Sequence, residues 1–230
     1  MKRSTARTLT THVGSLIRPD ALQDFLRAKQ SGKPVDEAAY QKCLSDSVAD
    51  VVKRQAEAGI DVVSDGEFGK SISWSQYVLE RLSGFARRPI KSGANPFMRG
   101  VDREKFAEFY AELDAREHVA TTTEAVCVGP IAYTGQAELQ RDIDNFKAAL
   151  KDVKVEEAFL PVAAPASVIP DRKNEYYKSD EELIRAIGAA MHTEYKMIID
   201  AGFVLQLDDA RFAVTYDRMV PPGSFADYRK

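Results

Sequence analysis

Three times along this chain an apolar run ends in a polar or acidic turn: Thr11-His12-Val13-Gly14-Ser15, Val63-Ser64-Asp65-Gly66-Glu67 and Leu205-Gln206-Leu207-Asp208-Asp209. Each run predicts a buried strand. Helical periodicities between such runs predict strand–helix alternation, and that pattern builds a parallel sheet. In parallel α/β sheets and barrels, ligands bind at the carboxyl ends of the strands. Glu67 and Asp208 meeting at that edge would favour a small cationic group, such as the ammonium of an amino acid.

The intervening segments fill in the alternation. Residues 9–15 read as a first strand ending in a Gly-Ser turn, followed by a short helix from Pro19-Asp20 through Arg27 that Ser31-Gly32-Lys33-Pro34 breaks. Asp36 to Ala58 carries Tyr40, Leu44, Val48, Val51 and Val52 at a period close to 3.6, predicting a long amphipathic helix. Gly59 suits its C-terminus, and residues 60–64 read as a strand. A long excursion then runs over residues 68–128. It reads as helix at 71–82 with Trp74, Val78 and Leu82 on one face, loop at 84–101, helix at 102–115 with Phe106, Phe109, Tyr110 and Leu113, and a β-rich run at 118–128. It lacks the size and patterning for its own core and is expected to extend over the mouth of the sheet. Alternation resumes with a helix at 136–150 and a strand at 157–163. Ser179 with Glu182 has the spacing of a capping box, opening a helix striped by Leu183, Ile187, Met191, Tyr195 and Ile198. Gly202 closes it before a strand at 203–207, and Ser224 marks a final helix start.

Four βα-type strands result, at 9–13, 60–64, 157–163 and 203–207, and right-handed crossovers curl them towards a barrel. A closed (β/α)8 barrel needs eight strands. The expected fold is therefore α/β, of the TIM-barrel family, truncated to about the first four βα units. Residues 1–230 make a single partial barrel domain, with residues 68–128 inserted after strand 2.

Composition narrows the function classes. With 44% hydrophobic and 29% charged residues the profile is that of a soluble globular domain. A net charge of -3 gives no bulk attraction to nucleic acid or anionic membrane. No stretch approaches a membrane span, and the basic N-terminal residues 1–10 lack the apolar core of a secretory signal. Cys43 and Cys127 lie far apart, are expected as reduced thiols in a cytoplasmic protein, and have no metal spacing.

The residues resemble the cobalamin-independent methionine synthase family, in particular short single-domain members matching its catalytic C-terminal barrel. The likeness is carried by Thr11-His12-Val13-Gly14-Ser15-Leu16-Ile17-Arg18-Pro19, by Gly59-Ile60-Asp61-Val62-Val63-Ser64-Asp65-Gly66-Glu67-Phe68, by Phe159-Leu160-Pro161-Val162-Ala163-Ala164-Pro165, and by Asp200-Ala201-Gly202-Phe203 leading into Leu205-Gln206-Leu207-Asp208-Asp209. The resemblance implies methyl transfer from a reduced folate, methyl-tetrahydrofolate, to homocysteine sulfur held as a zinc-bound thiolate. It assigns Val13, Gly14 and Ser15 to the segment that holds the amino acid, and Glu67 and Asp208 to its ammonium. The implied zinc ligands, a His-x-Cys pair, a later glutamate and a last cysteine, match no position in this chain. An Arg-Cys pair that touches folate is represented by Val126-Cys127, so the cysteine alone matches. Ile169-Pro170-Asp171-Arg172 stands where a folate-contacting tryptophan is expected.

His12 reads either as a site residue or as a structural histidine, and Arg18 as a partner of a substrate carboxylate or of Glu67. Cys127 reads as a site contact or a packed thiol. Arg87 and Arg88 read as a solvated face. Two functional readings compete. One is a zinc-dependent S-methyltransferase, or an alkyltransferase to another thiol such as coenzyme M. The other is a catalytically incomplete half-barrel that binds a small amino acid, or that associates with a complementary chain or a second copy through its exposed edges. A porphyrinogen decarboxylase relative ranks last, because no arginine-rich pocket for a polycarboxylate is present near the N-terminus.

Overall fold

The computed structural model describes residues 1–71, 74–89, 100–117, 123–168 and 173–229. The chain opens with two helices, α1 (Asp20–Gln30) and α2 (Glu37–Glu57), which pack on each other ahead of the first strand, β1 (Val62–Val63). The Asp36 side chain caps α2 by accepting from the Ala39 amide at 3.0 Å. Its stripe of Tyr40, Leu44, Val48, Val51 and Val52 is buried as the period predicts, and Gly59 ends it at φ 80°.

The main sheet has the order β1–β4–β6, with β4 (Glu157–Ala163) at its centre, β6 (Val204–Asp208) on the other side, and all strands parallel. Val63 stands opposite Ala158, and Asp208 opposite Ala163. Three of the four expected strands are therefore present, the second shortened to Val62–Val63. The expected first strand at 9–13 is not one. Thr10 turns its carbonyl to both the Asp61 and Val62 amides, at 3.1 and 3.0 Å. The Asp61 carboxylate takes the Thr10 amide at 2.8 Å and its hydroxyl at 3.0 Å, so side-chain bonds displace a regular ladder. The segment still runs beside β1 in the same direction, since Leu16 donates to the Gly66 carbonyl at 3.2 Å.

The excursion contains structure that the sequence reading assigned to loop. β2 (Phe85–Pro89) falls within the expected loop 84–101 and pairs antiparallel with β3 (Thr123–Cys127), which pairs parallel with the short β5 (Lys173–Asn174). These three strands form a second sheet. The helix expected over 102–115 is broken at Phe106 into α4 (Val101–Lys105) and α5 (Ala107–Glu117). Its proposed stripe is not buried: Phe106 and Phe109 are exposed, and Tyr110 instead receives Arg103, which also pairs with Asp114 at 2.8 Å. Trp74 begins the helix α3 (Trp74–Glu80), and Val78 and Leu82 are buried as expected.

Helices α6 (Gln136–Ala149) and α8 (Asp180–Asp200) bury Leu139, Ile143, Phe146, Leu183, Ile187, Met191 and Ile198. Ser179 accepts from the Glu182 amide at 3.1 Å, while Glu182 reaches the amide of Lys178 at 3.1 Å rather than that of Ser179, one residue off the reciprocal capping box. Phe146 stacks on Phe203 at 4.8 Å. After β4 comes α7 (Pro165–Val168), and after β6 come α9 (Ala210–Met219) and α10 (Phe225–Tyr228). Among the described residues no helix is long and apolar enough to cross a membrane.

One polar cluster is embedded in this core. Arg81, directly after α3, pairs with Asp142 of α6 at 2.7 Å and with Glu194 of α8 at 2.6 Å, all three buried. Burial alone would lower the Arg81 pKa, but the two carboxylates outweigh it and hold the guanidinium charged. Without Arg81 the buried Glu194 carboxylate loses its cation, while Asp142 keeps Arg141 at 2.7 Å, and stranding one buried charge in this way costs about 3–5 kcal/mol. Arg81→Met is expected to lower unfolding free energy by about that amount in urea titrations. A loss below about 1 kcal/mol would contradict the clamp.

Candidate functional site

The chain after β1 makes a turn whose geometry the residues dictate. β1 ends opposite Ala158 while β4 continues to Ala163, so residues 64–70 climb beside the last residues of the central strand. Gly66 and Glu67 are both left-handed, at φ 71° and 62°. Glycine takes this without cost, but glutamate pays for it and must be held there. The Ser64 hydroxyl accepts from the Gly66 amide at 3.1 Å, and Asp65 Oδ1 accepts from the Glu67 amide at 2.9 Å. Arg18 donates to the Glu67 carbonyl at 2.7 Å. The turn thus fixes Glu67 from both sides of its peptide.

A cleft of about 480 Å³ opens at the carboxyl ends of β4 and β6. Its lining includes Val13, Gly14, Ser15, Glu67 and Asp208, together with Lys70, Tyr77, Ala163, Leu207, Asp209 and Ala210. All five residues assigned to substrate binding from sequence therefore face one space, although they come from three separate segments. Gly14 is left-handed at φ 85°, which bends the backbone into the cleft. Asp208 is held by Gln206, whose side-chain amide donates to Oδ1 at 2.7 Å. Asp209, at the start of α9, makes no cap bond there and accepts from the Ser167 hydroxyl at 3.0 Å.

Lys70 was not singled out in the sequence. It is buried, sits 3.3 Å from Glu67 Oε2, donates to the Pro161 carbonyl of β4, and lies 4.6 Å from the Tyr77 ring. The i,i+3 spacing from Glu67 was its one legible signal. Tyr77 accepts from the Ala163 amide at 2.9 Å, and burial raises its phenol pKa well beyond the usual range.

The remaining candidates do not line the cleft. His12 places Nε2 3.3 Å from the Ser64 hydroxyl and packs near Phe159; burial lowers its pKa and Glu67 opposes that. Of its two expected partners Arg18 meets Glu67, donating to the backbone carbonyl rather than to the carboxylate. Cys127 is buried in β3, its thiol donating to the Gly129 carbonyl at 3.5 Å, with its pKa raised by burial. Arg88 is exposed and pairs with Glu175. Residues 169–172, His118 and the Trp74 side chain lie outside what is described. Among the described residues no three His, Cys, Asp or Glu side chains are placed to hold a metal ion, so a zinc set does not fit them.

A larger cleft of about 680 Å³ lies beyond Lys70 and Tyr77, lined by α1, α2 and α6. Several of its charges are matched within the protein, Lys29 with Glu37 at 2.6 Å and Arg81 and Arg141 with Asp142 at 2.7 Å. It converges no strand ends.

Comparison with known proteins gives this geometry a family context. Residues 8–99 match the family described as the cobalamin-independent synthase, catalytic domain. A methionine synthase of Saccharolobus islandicus is 25% identical over 202 residues, covering 87% of this chain and 52% of that protein. One from Sulfolobus acidocaldarius is 26% identical over the same length, covering 51% of its own chain. Among solved structures, a B12-independent methionine synthase from a Shewanella species in complex with selenomethionine superposes with a TM-score of 0.61 at 20% identity, over 93% of this chain and 55% of that one. A putative counterpart from Listeria monocytogenes gives 0.63 at 21% identity, over 95% and 58%. At such identities the superpositions speak for the fold. The chain spans about half the length of the curated relatives it matches.

The turn carries its own pH signature. Asp65 is fully buried, and burial pushes its carboxyl up to about 6; Lys70 opposes this and Asp142 adds to it. A carboxyl raised above its unfolded value stabilises the fold below the unfolded pKa, and that contribution is lost as pH rises through about 6. Asp65→Asn keeps an acceptor for the Glu67 amide and removes the charge. It is expected to gain about 1–3 kcal/mol at pH 7 and little at pH 4, read by urea unfolding across pH. A variant less stable than the parent at pH 7 would contradict the burial account.

Proposed function

We propose that this chain, similar to cobalamin-independent methionine synthases, forms the amino-acid-binding part of an S-methyltransferase acting on homocysteine. The observation that carries the reading is the convergence of Val13, Gly14, Ser15, Glu67 and Asp208 on one cleft at the strand ends. In this reading the Ser15 hydroxyl and the backbone amides of the Gly14 turn receive the carboxylate. Glu67 and Asp208 accept from the ammonium through charge-assisted bonds. The thiol then points away from the anions, towards the mouth of the cleft. A space of about 480 Å³ suits a small amino acid.

The resemblance assigns thiol activation to zinc and methyl donation to a reduced folate. The described residues offer no ligand set for the metal, and the one residue that the resemblance matches to a folate contact, Cys127, is buried in β3 and does not line the cleft. Their task here is to bind and orient the acceptor, and orientation matters because a sulfur displacing at methyl carbon needs in-line approach. Coenzyme M is a poorer acceptor for this cleft. It carries a sulfonate and no ammonium, and it would face Glu67, Asp208 and Asp209.

A second reading rests on a specific feature. Among the described residues β6 pairs with β4 alone, and Leu207 at the cleft is 52% exposed. A parallel strand laid on the free edge of β6 would cover it and extend the site beside Asp208, whether it comes from further barrel strands, a complementary chain or a second copy. The proposed fold is about the first four βα units of the barrel, with the segment through Thr10 beside β1 in the place of the first strand.

Calorimetric titration with L-homocysteine tests the first reading. Glu67→Gln and Asp208→Asn are each expected to weaken binding about tenfold or more; unchanged affinity in both would defeat it. Sedimentation of the 230-residue chain tests the second. Reversible association that Leu207→Lys abolishes is expected, and a monomer at every concentration would contradict association through this edge.

A further inference from the structure

We infer that Lys70 is a positioning residue that holds the Glu67 carboxylate in place for a ligand ammonium, an inference that rests on the amino-acid reading of the cleft. A lysine ammonium has three donor hydrogens and no acceptor. At Lys70 the surroundings that take them belong to the protein. Glu67 Oε2 is at 3.3 Å, the Pro161 carbonyl is bonded, and the face of Tyr77 lies 4.6 Å away. Tyr77 is in turn fixed by the Ala163 amide. An ammonium so enclosed acts through Glu67 rather than on the ligand directly.

The need for such a residue follows from the turn. A glutamate side chain has several rotamers, and ordering it at the moment of binding would cost affinity. The backbone bonds to Arg18 and Asp65 fix the peptide of Glu67 but not its carboxylate. The charged and titratable groups around Glu67 are His12 and Arg18 from the N-terminal segment, Asp65 in its own turn, Tyr77 of α3, and Asp208 and Asp209 in the same cleft. Among the described residues, the carboxylate itself is bonded to Lys70 alone. Through Pro161 that bond also fastens the turn to the middle strand, so the acceptor is aligned relative to β6 and Asp208. The cation further offsets the repulsion that Asp208 and Asp209 would impose on an uncompensated Glu67.

The test compares two ligands by calorimetry on the whole chain: L-homocysteine, and 4-mercaptobutyrate, which keeps thiol and carboxylate but lacks the ammonium. Lys70→Met is expected to weaken L-homocysteine about tenfold and 4-mercaptobutyrate less than about twofold, because the loss passes through the ammonium contact. Lys70→Arg, which keeps the charge, should recover affinity. Adding Lys70→Met to Glu67→Gln should cost little more than Glu67→Gln alone. If circular dichroism shows Lys70→Met unfolded, Lys70→Gln replaces it with the same contrast expected. Equal losses for the two ligands, no loss, or additive losses in the double variant would overturn the role of Lys70 while leaving the cleft reading intact. A parent chain that binds both ligands alike, or that is indifferent to Glu67→Gln, would overturn both.

Discussion

The parallel register of β4 against β1 and β6 is the constraint from which the site follows. Because the strands run the same way, their carboxyl ends share one edge, and Ala163 stands beside Asp208 there. Because β1 stops opposite Ala158, the chain must climb residues 64–70 along the end of β4 before it can leave the sheet. That climb carries Glu67 to the level of Asp208, and Lys70 bonds the turn to Pro161 at the top. A one-residue slip would exchange the faces on which these side chains project. The burial of Val63, Leu160 and Val162 makes such a slip costly.

Much of this was legible in the sequence because the relevant signals are local. The 3.6-residue stripe of Tyr40, Leu44, Val48 and Val52, the cap at Ser179, and the glycines at 59 and 202 mark elements whose geometry depends on near neighbours. The residues that share the cleft stood out because Glu67 and Asp208 follow or end apolar runs that form strands, and Val13, Gly14 and Ser15 follow one that runs beside β1 without joining the sheet. What escaped depends on contacts remote in sequence. Phe85–Pro89 looks like loop by composition, and it becomes a strand because Thr123–Cys127 offers it a partner. Thr10 looks like strand, and the Asp61 side chain diverts its hydrogen bonds. Phe106 and Phe109 have a buried stripe's spacing but lack a surface to cover them among the described residues. Lys70 and Arg81 resemble surface charges until the fold supplies Glu67, Asp142 and Glu194.

The buried charges divide into two groups with different work. Arg81, Asp142 and Glu194 tie α3's end to α6 and α8 and face the core, where they set how these helices sit together. Asp65, Glu67 and Lys70 lie at the strand-end edge, where a carboxylate costs stability unless a partner compensates it. Stability given up at that edge is consistent with a site that keeps anions ready for a cationic ligand. In the proposed transferase this part of the chain grips the amino acid, and methyl transfer needs groups that the described residues do not bring together.

A crystal structure of the chain with L-homocysteine bound tests the central claim most directly. The account predicts the ammonium within hydrogen-bonding distance of both Glu67 and Asp208, with the carboxylate on the Gly14–Ser15 turn. An amino acid lodged instead between α2 and α6, or one whose ammonium touches neither acid, would contradict it.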